Sequence, residues 1–285
     1  MSDNKDAPGL VRKKRFPATL DTGSSVPVAP KRLWDKVGGN SKVLSSDSGV
    51  RKSVAPGKNY EPRTSVLNSV SVGGLDGARQ RMVQRLYHQG IRHEGVLQAM
   101  LNIPRELFVD SALVSQAYED TSLPIGLGQT ISKPSIVARM VELLMPENDT
   151  KLRRVLDIGT GCGYQAAILS QLVEEVYSIE RLKGLHERSR VNLRPLRLKN
   201  VHLIYGDGML GFPSGAPYDA IIAAAGGENV PVAWLDQLSE NGCLIAPILS
   251  RPGVQSLIKV VRTFQGWEQY ELETVQFVPL KSGVL

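Results

Sequence analysis

The sequence predicts an α/β fold: a mostly parallel sheet with helices on both faces, preceded by a helical region and followed by an antiparallel hairpin. Short apolar runs alternate with helical segments after residue 150, an arrangement typical of parallel sheets. Apolar residues recur at helical spacing between residues 76 and 150. Two β segments separated by a short turn come last. We therefore predict a helical region over 76–150 and an α/β core over 151–285.

Residues 1–75 differ from the rest in composition and charge. They hold 13 Lys and Arg against 6 Asp and Glu, whereas the remaining residues hold 21 against 22. Gly, Pro and Ser make up a third of this segment, and such a composition buries too little apolar surface to offset the entropy of ordering. We predict a disordered basic extension. Simple solvation is the favoured interpretation, and an electrostatic tether to nucleic acid is the alternative.

Composition argues against several classes of protein. No run of eighteen apolar residues is present, and the first thirty residues lack the apolar region of a secretory signal. The two cysteines, Cys162 and Cys243, are too few for a disulfide framework, and the four histidines show no metal-binding spacing. We expect a monomeric cytoplasmic protein with no metal ion and no membrane attachment.

Three helices are predicted before residue 150. Asp76 is the expected N-cap of the first helix, whose apolar face carries Met82 and Leu86. The second helix covers about 93–102, and the third begins at Pro134, a residue well suited to the first helical position.

The α/β core is predicted from short apolar strands with helices between them. The strands are expected at 155–158, 176–179, 201–205, 220–223 and 243–246. The helices are expected at 164–173, from the second strand to about 192, and at 231–239. The final β segments, 254–264 and 268–279, are expected to join at Gly266-Trp267 as a hairpin at one edge of the sheet.

A glycine-rich loop follows the first strand of the core and predicts the cofactor. Glycines stand at alternate positions, Gly159, Gly161 and Gly163, where the backbone can turn sharply and approach a ligand closely. A dinucleotide site requires the spacing G-x-G-x-x-G, whereas here it is G-x-G-x-G, with Asp157 two residues ahead. This loop resembles that of Rossmann-like methyltransferases, which implies S-adenosylmethionine as the cofactor.

Acidic residues end the next two strands. Glu180 can accept hydrogen bonds from both hydroxyls of a ribose. The resemblance implies that Asp207, in Gly206-Asp207-Gly208, holds the adenine amino group. The predicted cofactor-binding residues are Gln129, Thr130, Ile131, Asp157, Gly159, Thr160, Gly161, Gly163, Glu180, Arg181, Asp207 and Gly208.

Three further segments point to a substrate. They are PRELFV at 104–109, LPIGLGQTISKP at 123–134 and QFVPL at 276–280. Together with the strand and loop motifs, over roughly residues 79–285, they are similar to the protein-L-isoaspartate O-methyltransferases. This resemblance implies methyl transfer to the carboxylate of isoaspartyl residues in damaged proteins, with repair through a succinimide. It also implies that 76–150 forms the substrate side of the protein.

The resemblance assigns the active-site position to Ser132. Its hydroxyl would orient the acceptor carboxylate, while Gln129, Thr130 and Ile131 would form a lid between cofactor and substrate. From the residues alone, the favoured interpretation of Ser132 is a cap at or near the N-cap of the third helix, and the two roles are compatible. Cys162, interpreted as a small filler, and Ala224 depart from the family pattern.

Three alternative functions fit parts of the sequence. The first is another S-adenosylmethionine-dependent methyltransferase, acting on nucleic acid or a small molecule, which the basic extension would favour. The second is a cofactor-binding protein without catalytic activity, in which the extension does the work. The third is an NAD-dependent dehydrogenase, which the glycine spacing disfavours.

Overall fold

The computed structural model of the chain describes residues 74–146 and 150–285. The predicted disordered extension lies outside these residues, except for Gly74 and Leu75. Within the two described ranges, no helix combines the length and the apolar character needed to cross a membrane.

The helical region contains three α-helices and a small hairpin that the sequence pattern did not predict. The helices are α1 Leu75–His88, α2 Glu94–Asn102 and α3 Pro134–Leu144. Between α2 and α3 lie two 3₁₀ turns and the antiparallel pair β1 Leu123–Gly126 and β2 Gln129–Ile131. The prediction of Asp76 as an N-cap is wrong, because the N-cap of α1 is Gly74, two residues earlier, and Asp76 lies inside the helix. Asp76 instead forms an ion pair with Arg79 in the first turn.

The core is a seven-stranded sheet. Its strands are β3 Arg154–Ile158, β4 Glu175–Glu180, β5 Val201–Tyr205, β6 Tyr218–Ala223, β7 Leu238–Arg251, β8 Val254–Thr263 and β9 Gly266–Val275. They lie in the order β5-β4-β3-β6-β7-β8-β9, in which the first five are parallel to one another and the β7–β8 and β8–β9 pairs are antiparallel. This confirms the predicted fold class. The helices between them are α4 Tyr164–Ser170, α5 Lys183–Leu193 and α6 Val232–Gln237.

Side chains along each strand alternate between the two faces of the sheet, so both faces are apolar. Helices cover each face and form a core with it. In β3, Val155 belongs to the larger core, which includes α1 to α5. Leu156 and Ile158, which point to the opposite face, belong to the second core together with Trp234 of α6. The sheet is therefore held between two apolar layers, and its strands cannot slip in register without moving apolar side chains to the wrong face.

The antiparallel part of the sheet is larger than predicted. β7 has 14 residues, whereas the sequence predicted a strand only at the apolar run 243–246. The rest of β7 was missed because most residues near its two ends are polar and partly exposed. The β8–β9 turn is at Phe264-Gln265, so the predicted junction at Gly266-Trp267 is two residues late. β9 also ends at Val275, before the predicted end at 279.

Candidate active site

The parallel strands bring the predicted loop and strand ends to one edge of the sheet. The Gly159 N–H donates to the Ile179 carbonyl at 2.9 Å, and the Ala224 N–H donates to the Ile158 carbonyl at 2.8 Å. These bonds join the loop after β3 to the end of β4, and the loop after β6 to the end of β3. The carboxyl ends of parallel strands form the usual ligand site of such sheets.

The glycine loop adopts a backbone that other residues would strain. Gly159, Gly161 and Gly163 have φ values of 92°, 55° and 95°. At Gly161 a Cβ would lie 3.3 Å from the Cδ1 atom of Ile125. At Gly163 it would lie 3.0 Å from the Cδ1 atom of Leu193, so this glycine also allows α4 and α5 to pack.

A cavity of about 240 Å³ opens at this edge of the sheet. It brings together most of the predicted site. The predicted residues that line it are Gln129, Thr130, Ile131, Ser132, Gly159, Thr160, Gly161, Glu180, Arg181 and Gly208. Asp157, Gly163 and Asp207 do not line the cavity. In the part of the chain that the structure describes, no group of three His, Cys, Asp or Glu side chains is placed to hold a metal ion.

Glu180 places a buried carboxylate in the cavity wall. Its side chain is 6% exposed. Oε2 accepts a hydrogen bond from the Gly161 N–H and Oε1 accepts one from the Leu182 N–H, both at 2.9 Å. Since a carboxylate offers about four lone-pair sites, two remain for a ligand. The backbone bonds hold both oxygens in position.

Asp157 supports the glycine loop from behind the cavity. Its side chain is fully buried, and it accepts hydrogen bonds from Gln165 Nε2 at 2.8 Å and from Ser178 Oγ at 2.7 Å. Ser178 Oγ also lies 2.7 Å from Thr160 Oγ1, which connects the carboxylate to the loop. Burial raises the pKa of Asp157 to about 6, and the nearby Glu180 charge contributes to the rise, although the two hydrogen bonds oppose it.

This raised pKa predicts a pH-dependent stability. Because the pKa of Asp157 is about 6 in the folded chain and 3.8 ordinarily, the folded state binds the proton more tightly than the unfolded state. The resulting stabilisation is present below about pH 4 and is lost as the pH rises towards 6. Relative to Asp157→Asn, the unfolding free energy of the unmodified protein should fall by up to about 3 kcal/mol between pH 4 and pH 7.

Urea unfolding of both proteins across this pH range measures the difference. The exposed Asp236→Asn makes the same chemical change outside the cavity and serves as the control. A difference between Asp157→Asn and the unmodified protein that changes with pH no more than the difference for Asp236→Asn would contradict the prediction.

The C-terminal segment closes one side of the cavity, which sequence reasoning missed. Arg181 Nε donates to the Gly283 carbonyl at 2.8 Å, and the Leu285 N–H donates to the Arg181 carbonyl at 2.8 Å. The Gly283 N–H donates to Asp207 Oδ2 at 2.6 Å. Asp207 therefore holds this segment, and also caps the turn at Met209, while its predicted contact with adenine stays a prediction.

Ser132 follows the β1–β2 hairpin and lines the cavity. The hairpin turn requires positive φ at Gly126 and Gly128. The N-cap interpretation of Ser132 is wrong: the N-cap is Lys133, without a side-chain bond. Asp120 instead supplies the acceptor at this helix end, through a 2.9 Å bond from the Ser135 N–H. Among the described residues, the Ser132 hydroxyl has no hydrogen-bond partner.

A buried arginine fixes the backbone of Ser132, and sequence reasoning missed it. Arg105 is 0% exposed, and its Nη2 donates to the Ser132 carbonyl at 2.7 Å while its Nε donates to the Ala117 carbonyl at 2.8 Å. Its guanidinium lies 4.8 Å from the ring centroid of Tyr164. Burial lowers the pKa of Arg105. The segment containing Arg105 entered the resemblance, but a single sequence gives no sign that an arginine will be buried.

A second groove, of about 780 Å³, adjoins the cavity. Thr130, Ser132, Ala224 and Val278 line both. Ser132 is thus placed where a ligand in the cavity and a ligand in the groove would meet.

Burial raises the pKa of the Cys162 thiol, which fits the interpretation of Cys162 as a filler of the loop.

Residues 77–285 match the model of the protein-L-isoaspartate(D-aspartate) O-methyltransferase (PCMT) family. The chain belongs to this family. A protein-L-isoaspartate O-methyltransferase of Leptothrix cholodnii is 59% identical and aligns with 73% of this chain and 75% of its own length. One of Burkholderia vietnamiensis is 44% identical and aligns with 96% of this chain and 99% of its own, so this similarity extends into residues 1–75.

Solved structures of family members share the fold. One protein-L-isoaspartate O-methyltransferase structure has a TM-score of 0.66 at 30% identity, covering 72% of this chain and 67% of that chain. A Plasmodium falciparum PCMT, solved in complex with S-adenosyl-L-homocysteine, has a TM-score of 0.61 at 26% identity, covering 71% of this chain and 98% of that one. The family match at 77–285 includes both the glycine loop and the segment at 123–134.

Proposed function

We propose that the chain transfers the methyl group of S-adenosylmethionine to the free carboxylate of L-isoaspartyl residues in damaged proteins. Membership of the PCMT family supports the activity and the cofactor. The observation that carries the proposal is the placement of Ser132, which lines both the cavity and the groove. Two ligands can therefore approach each other at one residue of a family-specific segment.

The residues of the cavity fit this cofactor. The glycine loop leaves room for a ligand to approach the backbone, and the fixed Glu180 carboxylate keeps lone pairs for two hydroxyl groups. Ile158, Ile179 and Leu185 supply apolar walls. We assign ribose binding to Glu180 and contact with the cofactor to Gly159, Thr160 and Gly161.

The proposed chemistry requires no general base. Bound S-adenosylmethionine supplies a methyl group carried on a sulfonium. The acceptor carboxylate is already ionised at neutral pH, so no side chain has to remove a proton. The protein has to align the acceptor and exclude water, which we assign to Ser132 and to the β1–β2 hairpin above it.

The product accounts for repair. A methyl ester has a better leaving group than a carboxylate, so the neighbouring backbone nitrogen closes on it to form a succinimide and release methanol. Hydrolysis of the ring returns part of the material as normal aspartate. We propose that flexible, accessible isoaspartyl segments of many proteins serve as substrates, and that the chain works as a monomer in the cytoplasm.

One assay tests the function. Labelled methyl transfer from S-adenosylmethionine should occur to a synthetic isoaspartyl peptide and not to the matched aspartyl peptide. Base-labile release of the label as methanol would identify the ester. Absence of transfer, or equal transfer to both peptides, would refute the proposal.

A further inference from the structure

Among the residues that the structure describes, Lys133 is the one charged side chain that lines the groove beside the cavity, and no aspartate or glutamate lines it. The remaining lining is apolar or neutral, with Thr130, Ser132, Gln255 and Thr274 among the polar members. A groove of this composition favours an extended peptide that presents a negative charge near Lys133.

Lys133 is held at a fixed place in the backbone while its ammonium stays unpaired. Its carbonyl accepts bonds from the N–H groups of Ile136 and Val137, at 3.1 and 3.2 Å, at the start of α3. Within residues 74–146 and 150–285, its side chain forms no ion pair and no hydrogen bond. The nearby acceptor Asp120 is bonded to the Ser135 N–H.

The position of Lys133 separates it from the reacting carboxylate. Ser132 lines both the cavity and the groove, whereas Lys133 lines only the groove. Charge leads to the same conclusion. The acceptor loses its negative charge as the ester forms, so a cation on that carboxylate would stabilise the ground state more than the transition state. Lys133 is therefore better suited to a second carboxylate in the same peptide.

We propose that Lys133 is a specificity residue that selects isoaspartyl peptides with an acidic side chain close to the isoaspartyl residue. This inference rests on the proposed function and adds a sequence preference to it. The acidic side chain would pair with the Lys133 ammonium in the groove while the isoaspartyl carboxylate lies at Ser132.

The experiment compares paired peptides that differ only by Glu or Gln, placed in turn at each of the two positions on either side of the isoaspartyl residue. At one or more positions, kcat/KM should be higher for the Glu peptide by up to about fivefold, the most that one partly exposed ion pair usually supplies. The ratio should fall towards one as salt is raised. Lys133→Gln should bring it to about one, Lys133→Glu should invert it, and Lys133→Arg should retain it.

The exposed Lys199, outside the groove, provides the matched control. Lys199→Gln removes the same charge from the protein and should keep the ratio. Equal kcat/KM values for Glu and Gln peptides in the unmodified protein would overturn the inference, as would a preference that survives in Lys133→Gln or is lost equally in Lys199→Gln. Those outcomes would leave the proposed function intact, because that function fails only if no isoaspartyl peptide is methylated or if the matched aspartyl peptide is methylated equally.

Discussion

Replacing Glu180 with glutamine should weaken cofactor binding by at least about 100-fold. The glutamine keeps the shape of the side chain but has one acceptor oxygen in place of two, and its amide nitrogen cannot accept the bond that Gly161 or Leu182 now donates. The two charge-assisted bonds assigned to the ribose hydroxyls weaken or disappear, at about 1.5 kcal/mol or more each. Calorimetric titration with S-adenosylhomocysteine measures the affinity without requiring turnover.

Glu175 is the matched control because it lies at the other end of the same strand, β4. It is paired with His202 and does not line the cavity. Glu175→Gln should therefore bind the titrant as the unmodified protein does. If Glu180→Gln bound it within threefold of the unmodified protein, the ribose assignment would be wrong.

The positions of the core strands along the chain could be predicted from the sequence because the signals for each strand are local. Apolar runs bounded by glycine or polar residues indicated β3 to β6, and the parallel arrangement followed from the helices between them. The hairpin at 123–131 was missed because its strands have only four and three residues, and Pro124, Gly126 and Gly128 interrupt any alternation. Its pairing depends on cross-strand register, which a local pattern does not encode.

The candidate site was predictable only where position along a strand determines what a residue faces. Glu180 ends β4 beside the glycine loop, so its place at the cavity followed from the topology. Asp157 was also near a strand end, but its carboxylate is taken up by Ser178 of the neighbouring strand. Asp207 is occupied by Gly283, 76 residues away in the chain. Both contacts, one between neighbouring strands and one between distant parts of the chain, arise from tertiary packing, which neither spacing nor composition reveals.

Ser132→Ala should lower kcat/KM for an isoaspartyl peptide by about 10- to 100-fold while leaving the melting temperature nearly unchanged. A hydrogen bond to a charged group contributes about 1.5–3 kcal/mol, and here the partner is the acceptor carboxylate rather than the protein. The folded chain loses little, because the hydroxyl has no partner among the described residues and does not cap α3. Methyl-transfer kinetics and thermal unfolding of the same variant provide the two measurements.

Asp120→Ala, unlike Ser132→Ala, should lower the melting temperature. Ser135→Ala provides the comparison in which activity should be kept. Loss of the Asp120 carboxylate leaves the Ser135 N–H at the start of α3 without its acceptor, which costs about 1 kcal/mol and lowers the melting temperature. Ser135→Ala keeps that backbone N–H and lies outside both the cavity and the groove, so activity should persist.

If Ser132→Ala lowered the melting temperature as Asp120→Ala does and methylated the peptide at the normal rate, Ser132 would be a structural residue. Activity that falls without a change in melting temperature would place its hydroxyl on the substrate, since no contact within the described chain would then account for the loss.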